Sequence, residues 1–256
     1  MKKEEGGFKM KKEIFAVGDV HGEISMLKEL LKFWNPIDQQ LLFVGDLGDR
    51  GENPKECFLL VQDLCEQQGA ICIKGNHEDI FLNFLYSPKE YAANYYLNGG
   101  GKTIQTLLDG ENVSQLTPVE IAEKIKEEYP DLIAFIKRMP LYYEWETYLF
   151  VHAGVDLSKD HWQDTDSQDF LWIREPFHEG KNNTGKIIVF GHTPTFVLHG
   201  DQKNSQIWME DNKIAIDGGA VFGGSLHGVI FDKEGIKNHY RISKNEENQL
   251  ITNPYS

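Results

Sequence analysis

Short apolar runs alternate with stretches of helical periodicity in the first third of the chain. Residues 14–17, 41–44 and 70–73 are apolar runs of strand length. Residues 23–33, between the first two runs, repeat isoleucine and leucine at helical spacing. Asn53-Pro54 is typical of a helix cap followed by a first turn. This alternation predicts βαβ units in an α/β domain.

The strand pattern stops between about residues 86 and 146, where the sequence turns helical. Thr117 and Glu120 form a capping-box pair ahead of an amphipathic stretch. Further strands are predicted at residues 148–151, 187–190, 207–209, 214–216, 228–231 and 236–241. We therefore predict one domain, residues 1–256, with a helical cap inserted at about 86–146. The polar tail from residue 243 onward has little apolar surface to bury, which predicts a mobile segment.

Five segments share one character: a short apolar strand runs into a glycine turn that carries a carboxylate, an imidazole or an amide. They are Gly18-Asp19-Val20-His21-Gly22, Gly45-Asp46-Leu47-Gly48-Asp49-Arg50-Gly51, Gly75-Asn76-His77-Glu78, Val151-His152-Ala153-Gly154 and Gly191-His192-Thr193. In open α/β sheets, ligands bind at the carboxyl ends of strands. Carboxylate, imidazole and amide groups together suit Mn, Fe or Zn. Two such ions, about 3.5 to 4 Å apart, form the clamp that phosphoesterases use for in-line displacement.

These segments resemble those of the phosphoprotein phosphatases, a family of calcineurin-like metallophosphoesterases. That family includes bacterial and bacteriophage lambda type serine/threonine phosphatases and dinucleoside tetraphosphatases. The resemblance runs from residue 17 to about residue 226 and implies a four-layer α-β-β-α sandwich of two mixed sheets. It also implies two divalent metal ions, with Mn²⁺ expected and Fe or Zn as alternatives. The implied ligands are Asp19 and His21 for the first ion, Asp46 as the bridge, and Asn76, His152 and His192 for the second.

The same resemblance implies the catalytic groups. Arg50 and Arg174 would grip phosphate oxygens with the forked donors of their guanidinium groups, and Asn76 is a further substrate contact. His77 is the expected general acid, paired with Asp49, and it would protonate the departing alkoxide. The expected nucleophile is a hydroxide that bridges the two metals, so no covalent phosphoenzyme is required. For Arg174 the alternative is an ordinary surface arginine.

Two glycine-rich stretches outside the five segments have structural interpretations. Asn98-Gly99-Gly100-Gly101-Lys102-Thr103 ends like a phosphate-binding P-loop, but Tyr96 stands where that pattern requires glycine. We predict a turn at the rim of the site instead. In the later stretch, residues 216–224, Asp217 is predicted to shape its loop rather than to bind metal.

Composition narrows the choice of partners. The net charge of −14 opposes binding to nucleic acid or to an anionic membrane surface. The three cysteines lack the Cys-x-x-Cys spacing typical of zinc or redox sites, and no apolar run approaches the ~20 residues of a membrane span. We expect a cytoplasmic protein without nucleic acid or membrane partners. Met10 repeats the opening Met-Lys-Lys-Glu pattern and is an alternative start, although a solvated N-terminus is the favoured interpretation.

Three functions are candidates. The first is a phosphatase acting on phosphoserine, phosphothreonine or phosphotyrosine in proteins, with activity on small phosphoesters. The second is a dinucleoside tetraphosphate hydrolase. Its symmetrical branch usually has alanine where this chain has Asp49 and proline where it has Glu52, which favours the phosphatase. The third, a metal or phosphate-binding module without turnover, has no support in the sequence. Five tyrosines in the cap region are expected to pack, with stacking on a nucleobase as the alternative: Tyr91, Tyr95, Tyr96, Tyr142 and Tyr143.

Overall fold

In the computed structural model of the protein, residues 11–109 and 112–255 are described, so Met10 lies outside the described residues. The strands are β1 (Glu13–Val17), β2 (Gln39–Phe43), β3 (Ile71–Cys72), β4 (Tyr142–Trp145), β5 (Tyr148–Val151), β6 (Ile187–Phe190), β7 (Trp208–Glu210), β8 (Lys213–Ala215), β9 (Ser225–Asp232), β10 (Gly235–Lys244) and β11 (Leu250–Tyr255). The helices are α1 (Ile24–Leu30), α2 (Pro54–Gln68), α3 (Asn76–Tyr86), α4 (Pro88–Leu97), α5 (Gly100–Leu107), α6 (Pro118–Glu128), α7 (Pro130–Arg138), α8 (Ser167–Trp172), α9 (Glu175–His178) and α10 (Thr195–Leu198).

The described strands form two mixed sheets, as the sequence predicted. The first has the order β11-β10-β9-β1-β2-β3, with β1, β2 and β3 parallel to one another and β9 antiparallel to β1. The second has the order β4-β5-β6-β8-β7, with β5, β6 and β8 parallel. Parallel strands at the centre of each sheet bring several strand carboxyl ends to one edge of the molecule, which is the edge that carries the five glycine turns.

Alternation of side chains along β1 explains the layers. Ile14 and Ala16 point into a core shared with Tyr148 and Phe150 of the second sheet. Phe15 and its neighbours on the opposite face pack with α1, α2 and the helices between β3 and β4. The outer face of the second sheet packs on α8 and α9 in a third cluster. The result is an α-β-β-α sandwich, and the fold class predicted from the sequence is confirmed.

Local signals start two helices where the sequence predicted them. Asn53 accepts a hydrogen bond from the backbone of Glu56 and caps α2, and Gly69 ends that helix in a left-handed conformation. Thr117 and Glu120 form the reciprocal capping box of α6. Such caps stabilise a helix end by about 1 kcal/mol each, because they satisfy backbone donors that have no partner within the helix.

Two parts of the chain differ from the prediction. Residues 142–145, inside the predicted helical cap, form β4, which pairs antiparallel with β5, so the helical part ends at Arg138. The tail predicted to be mobile contains the end of β10 and all of β11, which pair over residues 239–255. Backbone hydrogen bonds make this hairpin, and the Asn245 side chain accepts from the backbone of Glu247 and Gln249 in its turn. The prediction of a mobile tail is therefore wrong.

The remaining sequence predictions about compartment concern cysteines and membrane spans. Cys57 and Cys72 are buried, Cys65 is half-buried, and all three thiols are free. Burial raises the pKa of Cys65 to about 12, so this thiol is unreactive at neutral pH. Within the described ranges, every helix is too short or too polar to cross a bilayer. A cytoplasmic location and a single domain stay predictions.

Candidate active site

Asp46, just after β2, lies between two groups of side chains suited to ligate metal ions. Among the described residues, the ligand atoms of His21, Asp46 and His77 lie within 4.8 Å of one another, and so do those of Asp46, His152 and His192. All five residues are buried. The carboxylate common to both groups is the one to which the resemblance assigns the bridging role.

Several residues of the site have strained backbone conformations. His21, Asp46, Asp49, Arg50 and His192 all have positive φ, between 43° and 66°. Each such conformation costs a non-glycine residue on the order of 1 to 3 kcal/mol and persists where the surrounding structure imposes it. The tight turns after the strands therefore aim the polar side chains back toward one point at the sheet edge.

His21 is held with one ring nitrogen directed at the site. Its Nδ1 lies 3.0 Å from the carbonyl oxygen of Gly48 and donates to it. Nε2 is then the unprotonated nitrogen, and it lies 3.5 Å from Asp46 Oδ2. A second hydrogen bond that fixes the tautomer in this way is typical of a metal-ligating histidine.

Asp19 is beside this group but in neither of the two groups defined around Asp46. Its Oδ2 accepts a hydrogen bond from the backbone of His192 at 3.0 Å, while its Oδ1 is buried without a hydrogen-bond partner. A side chain at Gly191 would place its Cβ 2.0 Å from that Oδ1, so only glycine permits this approach. Because a buried carboxylate oxygen without a partner is costly, this atom is suited to receive a cation.

At the second group, four oxygen and nitrogen atoms converge. The Oδ1 of Asn76 lies 2.9 Å from both His152 Nε2 and His192 Nδ1, and Asp46 Oδ1 lies 3.4 Å from the same His152 nitrogen. His152 Nδ1 donates to the carbonyl oxygen of Val44 at 2.8 Å, which leaves Nε2 to face the oxygens. Oxygen and nitrogen lone pairs that face one another require a proton or a metal ion between them. Burial lowers the pKa of His192 to about 2, so its ring is neutral and one of its two nitrogens keeps a lone pair for a metal ion.

Five buried carboxylates crowd the site: Asp19, Asp46, Asp49, Glu78 and Asp217. Burial, together with repulsion from Asp217 and Asp46, raises the pKa of Asp19 well above its ordinary value. Burial also raises the pKa of Asp217 to about 6. Burial acts on Asp46 in the same direction, but the neighbouring imidazoles, led by His152, hold its pKa well below the ordinary value. Cations bound at the site would relieve the repulsion among these carboxylates and favour their ionised forms.

Glu78 is a residue to which the sequence analysis assigned no role. Its carboxylate accepts hydrogen bonds from the backbone of Asp46 and Leu47 at 2.8 Å and of Gly75 at 2.9 Å. It therefore ties the turn after β2 to the first turn of α3. Its place at the third position of that helix, as in a capping box, was the available signal.

His77 and Asp49 form a buried pair. His77 Nδ1 lies 2.6 Å from Asp49 Oδ2 and donates to it. The other ring nitrogen, Nε2, lies 4.0 Å from Asp46 Oδ2 and faces the site. The carboxylate fixes the orientation of the ring, so Nε2 is placed to deliver a proton to an atom at the site.

Each of the two arginines donates a hydrogen bond at a different one of the two groups. Arg50 donates from Nη1 to His21 Nε2 at 2.6 Å, and Arg174 donates from Nη1 to the hydroxyl of Thr193 at 2.8 Å, next to His192. Both side chains are half-buried. Because the His21 nitrogen cannot accept from Arg50 and ligate a cation at once, a cation there would release the guanidinium group for phosphate.

Both glycine-rich stretches lie near these groups. The carbonyl oxygen of Gly99 accepts from the backbone of Arg50 at 3.3 Å, and the Arg50 guanidinium lies over the ring of Phe222 at 5.3 Å. Asp217 Oδ1 accepts from the backbone of Gly219 at 2.9 Å, within its own loop. The first stretch is therefore a turn that contacts the site, and Asp217 contributes to the conformation of the second.

Residues 12–227 match the family model of the calcineurin-like phosphoesterases. The chain belongs to that family. The match covers β1 to β8, the start of β9 and all five glycine turns, so it includes the whole second sheet and the site edge.

Two curated relatives of this calcineurin-like phosphoesterase have different activities in their names. One is serine/threonine-protein phosphatase 1 of Salmonella typhimurium, 30% identical over 84% of this chain and 90% of the relative. The other is an asymmetrical bis(5'-nucleosyl)-tetraphosphatase PrpE of Oceanobacillus iheyensis, 26% identical over 87% of this chain and 90% of the relative. Among solved structures, the cold-active protein-tyrosine phosphatase of a psychrophilic Shewanella species has a TM-score of 0.57 at 17% identity, covering 95% of this chain and 80% of that one. This last likeness concerns the fold.

Membership of the family implies divalent metal ions, and the side chains present fit them. The fit rests on the partnerless Asp19 Oδ1, on the acceptors that converge at Asn76 and on the buried carboxylates. Oxygen and imidazole ligands in this proportion suit first-row divalent metals better than Ca²⁺ or Mg²⁺. The chain is therefore a metallophosphoesterase, and its donor set does not distinguish among Mn, Fe and Zn.

Proposed function

We propose that the protein is a phosphoprotein phosphatase acting chiefly on phosphoserine and phosphothreonine. The observation that carries the proposal is the 2.6 Å hydrogen bond between His77 and Asp49 beside Asp46. A phosphoserine leaves as an alkoxide, a strongly basic group that needs a proton in the transition state. A polyphosphate leaving group spreads its charge over phosphate oxygens and needs less protonation. A buried and oriented acid therefore supports a phosphomonoester substrate.

In this proposal two divalent ions, manganese in the first instance, would bind beside Asp46. Asp19, His21 and Asp46 would hold one ion; Asp46, Asn76, His152 and His192 would hold the other. When bound, such ions activate water at neutral pH and neutralise charge on the phosphate.

The remaining roles belong to side chains of this chain. Arg50 and Arg174 would bind the phosphate oxygens from two sides, since their contacts lie at His21 and at Thr193. Asn76 would contact the substrate as well as a metal. His77 Nε2 would give its proton to the departing oxygen, while Nδ1–H stays hydrogen-bonded to Asp49.

Dinucleoside tetraphosphate hydrolysis is the second candidate, because the PrpE relative spans 87% of this chain. Of the five tyrosines considered for base stacking, Tyr95 is buried with its hydroxyl directed at Asp49, so it is unavailable. Tyr142 packs at 5.0 Å against Trp162. Tyr96 is 44% exposed and is the better candidate for contact with a base.

Side-by-side kinetics would separate the two candidates. With Mn²⁺ present, we expect kcat/KM for a phosphoserine peptide to exceed that for diadenosine tetraphosphate by roughly tenfold or more, equivalent to about 1.4 kcal/mol of transition-state binding. A phosphotyrosine peptide in the same assay reports dual specificity.

Preference for the dinucleotide would overturn the proposed substrate and leave the metal site unaffected. Absence of turnover on all three substrates, with two metal ions bound per chain, would favour the binding module instead. The phosphoserine peptide without its phosphate serves as the control for product inhibition.

A further inference from the structure

Asp49 divides its two carboxylate oxygens between the active site and the inserted helices. Oδ2 accepts from His77 Nδ1 at 2.6 Å. Oδ1 accepts from the hydroxyl of Tyr95 at 3.0 Å and from the hydroxyl of Thr103 at 2.5 Å. The Thr103 oxygen in turn accepts from the backbone of Asp49 at 3.0 Å. The carboxylate is therefore fixed by three side-chain donors, two of which come from the inserted helices.

The glycine turn between α4 and α5 makes this arrangement possible. Tyr95 lies near the end of α4 and Thr103 in the first turn of α5. Gly99 has φ of 94°, a conformation that favours glycine, and it hydrogen-bonds the backbone of Arg50. A Cβ at Gly100 would lie 2.4 Å from the Tyr95 ring. The turn thus lets two helices approach Asp49 together.

Both hydroxyl groups are enclosed. Tyr95 and Thr103 each have 0% exposure, and the Tyr95 ring packs at 5.7 Å against Phe81 and at 5.0 Å against Phe84. Burial and the adjacent Asp49 carboxylate raise the pKa of Tyr95 well above its ordinary value, so the hydroxyl keeps its proton and donates. Burying a polar group without a partner costs free energy, and here each hydroxyl has Asp49 as its acceptor.

We infer that Tyr95 and Thr103 are positioning residues that set the orientation of the proposed acid His77 through Asp49. The inference rests on the acid role assigned to His77 above. It makes the helical insertion a part of the catalytic apparatus. It also predicts which substrates are affected. Hydrolysis of esters with strongly basic leaving groups depends on a well-placed proton, whereas hydrolysis of esters with weakly basic phenolate leaving groups does not.

The test compares two substrates in the metal-loaded enzyme. Tyr95→Phe removes a single oxygen, and Thr103→Val removes the second donor at nearly constant volume. For a phosphoserine peptide we expect kcat to fall roughly tenfold in each variant, a fraction of the ~10²- to 10⁴-fold that a general acid contributes. For p-nitrophenyl phosphate, which has a weakly basic leaving group, kcat should change by less than about twofold.

Matched controls distinguish positioning from a general loss of structure. Tyr86→Phe makes the same one-atom change at the end of α3, on a residue that is 53% exposed, and should leave the rates on both substrates unchanged. Thr103→Ser keeps the hydroxyl and should restore the phosphoserine rate relative to Thr103→Val. A second readout is the downfield imidazole N–H proton of His77 in the zinc-loaded protein. It is assigned by its loss in His77→Asn, and it should shift in Tyr95→Phe but not in Tyr86→Phe.

The outcomes separate this inference from the proposed function. If His77→Asn lowers the phosphoserine rate selectively while Tyr95→Phe and Thr103→Val lower neither rate, or lower both equally, the positioning role is wrong and the acid stands. If His77→Asn itself does not discriminate between the two substrates, the proposed acid fails. A variant that does not fold is replaced by the other member of the Tyr95 and Thr103 pair, whose result decides in the same way.

Discussion

Replacing Asp46 with asparagine is expected to abolish both metal binding and hydrolysis. The carboxylate contacts both groups, with Oδ2 3.5 Å from His21 Nε2 and Oδ1 3.4 Å from His152 Nε2. Asparagine has nearly the same shape but lacks the charge that two cations would share. Loss of metal-dependent stabilisation, worth several kcal/mol, should lower kcat by on the order of 10³-fold or more.

Metal content by mass spectrometry and rates on a phosphoserine peptide measure this effect. Asp63→Asn, the same change at an exposed position of α2, is the control and should retain metal and rate. An Asp46→Asn protein with two ions and full activity would contradict the bridging role.

Replacing His77 with asparagine is expected to leave the metal content near that of the unmodified protein while lowering kcat by roughly 10²-fold or more. The asparagine side chain would keep a polar group at this position but has no acidic proton to transfer at neutral pH. The effect should be largest for phosphoserine and smallest for p-nitrophenyl phosphate, because the leaving groups differ in basicity.

The structure also allows the alternative that His77 is a metal ligand. His77 Nε2 lies within the first group around Asp46, where a ligand role would predict loss of metal. Metal analysis of His77→Asn therefore separates acid from ligand, and His161→Asn, at an exposed position, controls for the loss of an imidazole. If His77→Asn loses one of the two ions, His77 is a metal ligand.

Sequence patterns predicted the central strands because those strands are apolar and buried, whereas the sandwich was implied by the family resemblance. Strands β5 and β6 have the predicted bounds, since each is a short apolar run closed by polar residues. The edge strands were missed for the opposite reason. Strand β4 is Tyr-Tyr-Glu-Trp with alternating exposure, and β11 contains asparagine and proline. Both are held by pairing with a neighbouring strand, which no local pattern encodes.

In the candidate site, too, some residues could be placed from the sequence and others could not. Residues that follow directly after strands, such as Asp46, Asn76 and His192, could be placed at one sheet edge from the sequence because parallel strands end there together. Tyr95 and Thr103 could not, since their contact with Asp49 depends on how two helices pack after a glycine turn. The turn itself was noticed, and its unusual run of glycines was the available signal of a close approach.

Anomalous diffraction from a crystal of the manganese-loaded protein tests the two-metal account most directly. The account predicts two peaks per chain, about 3.5 to 4 Å apart, one contacted by Asp19, His21 and Asp46 and the other by Asp46, Asn76, His152 and His192. A single peak, or a pair that Asp46 does not bridge, would contradict it.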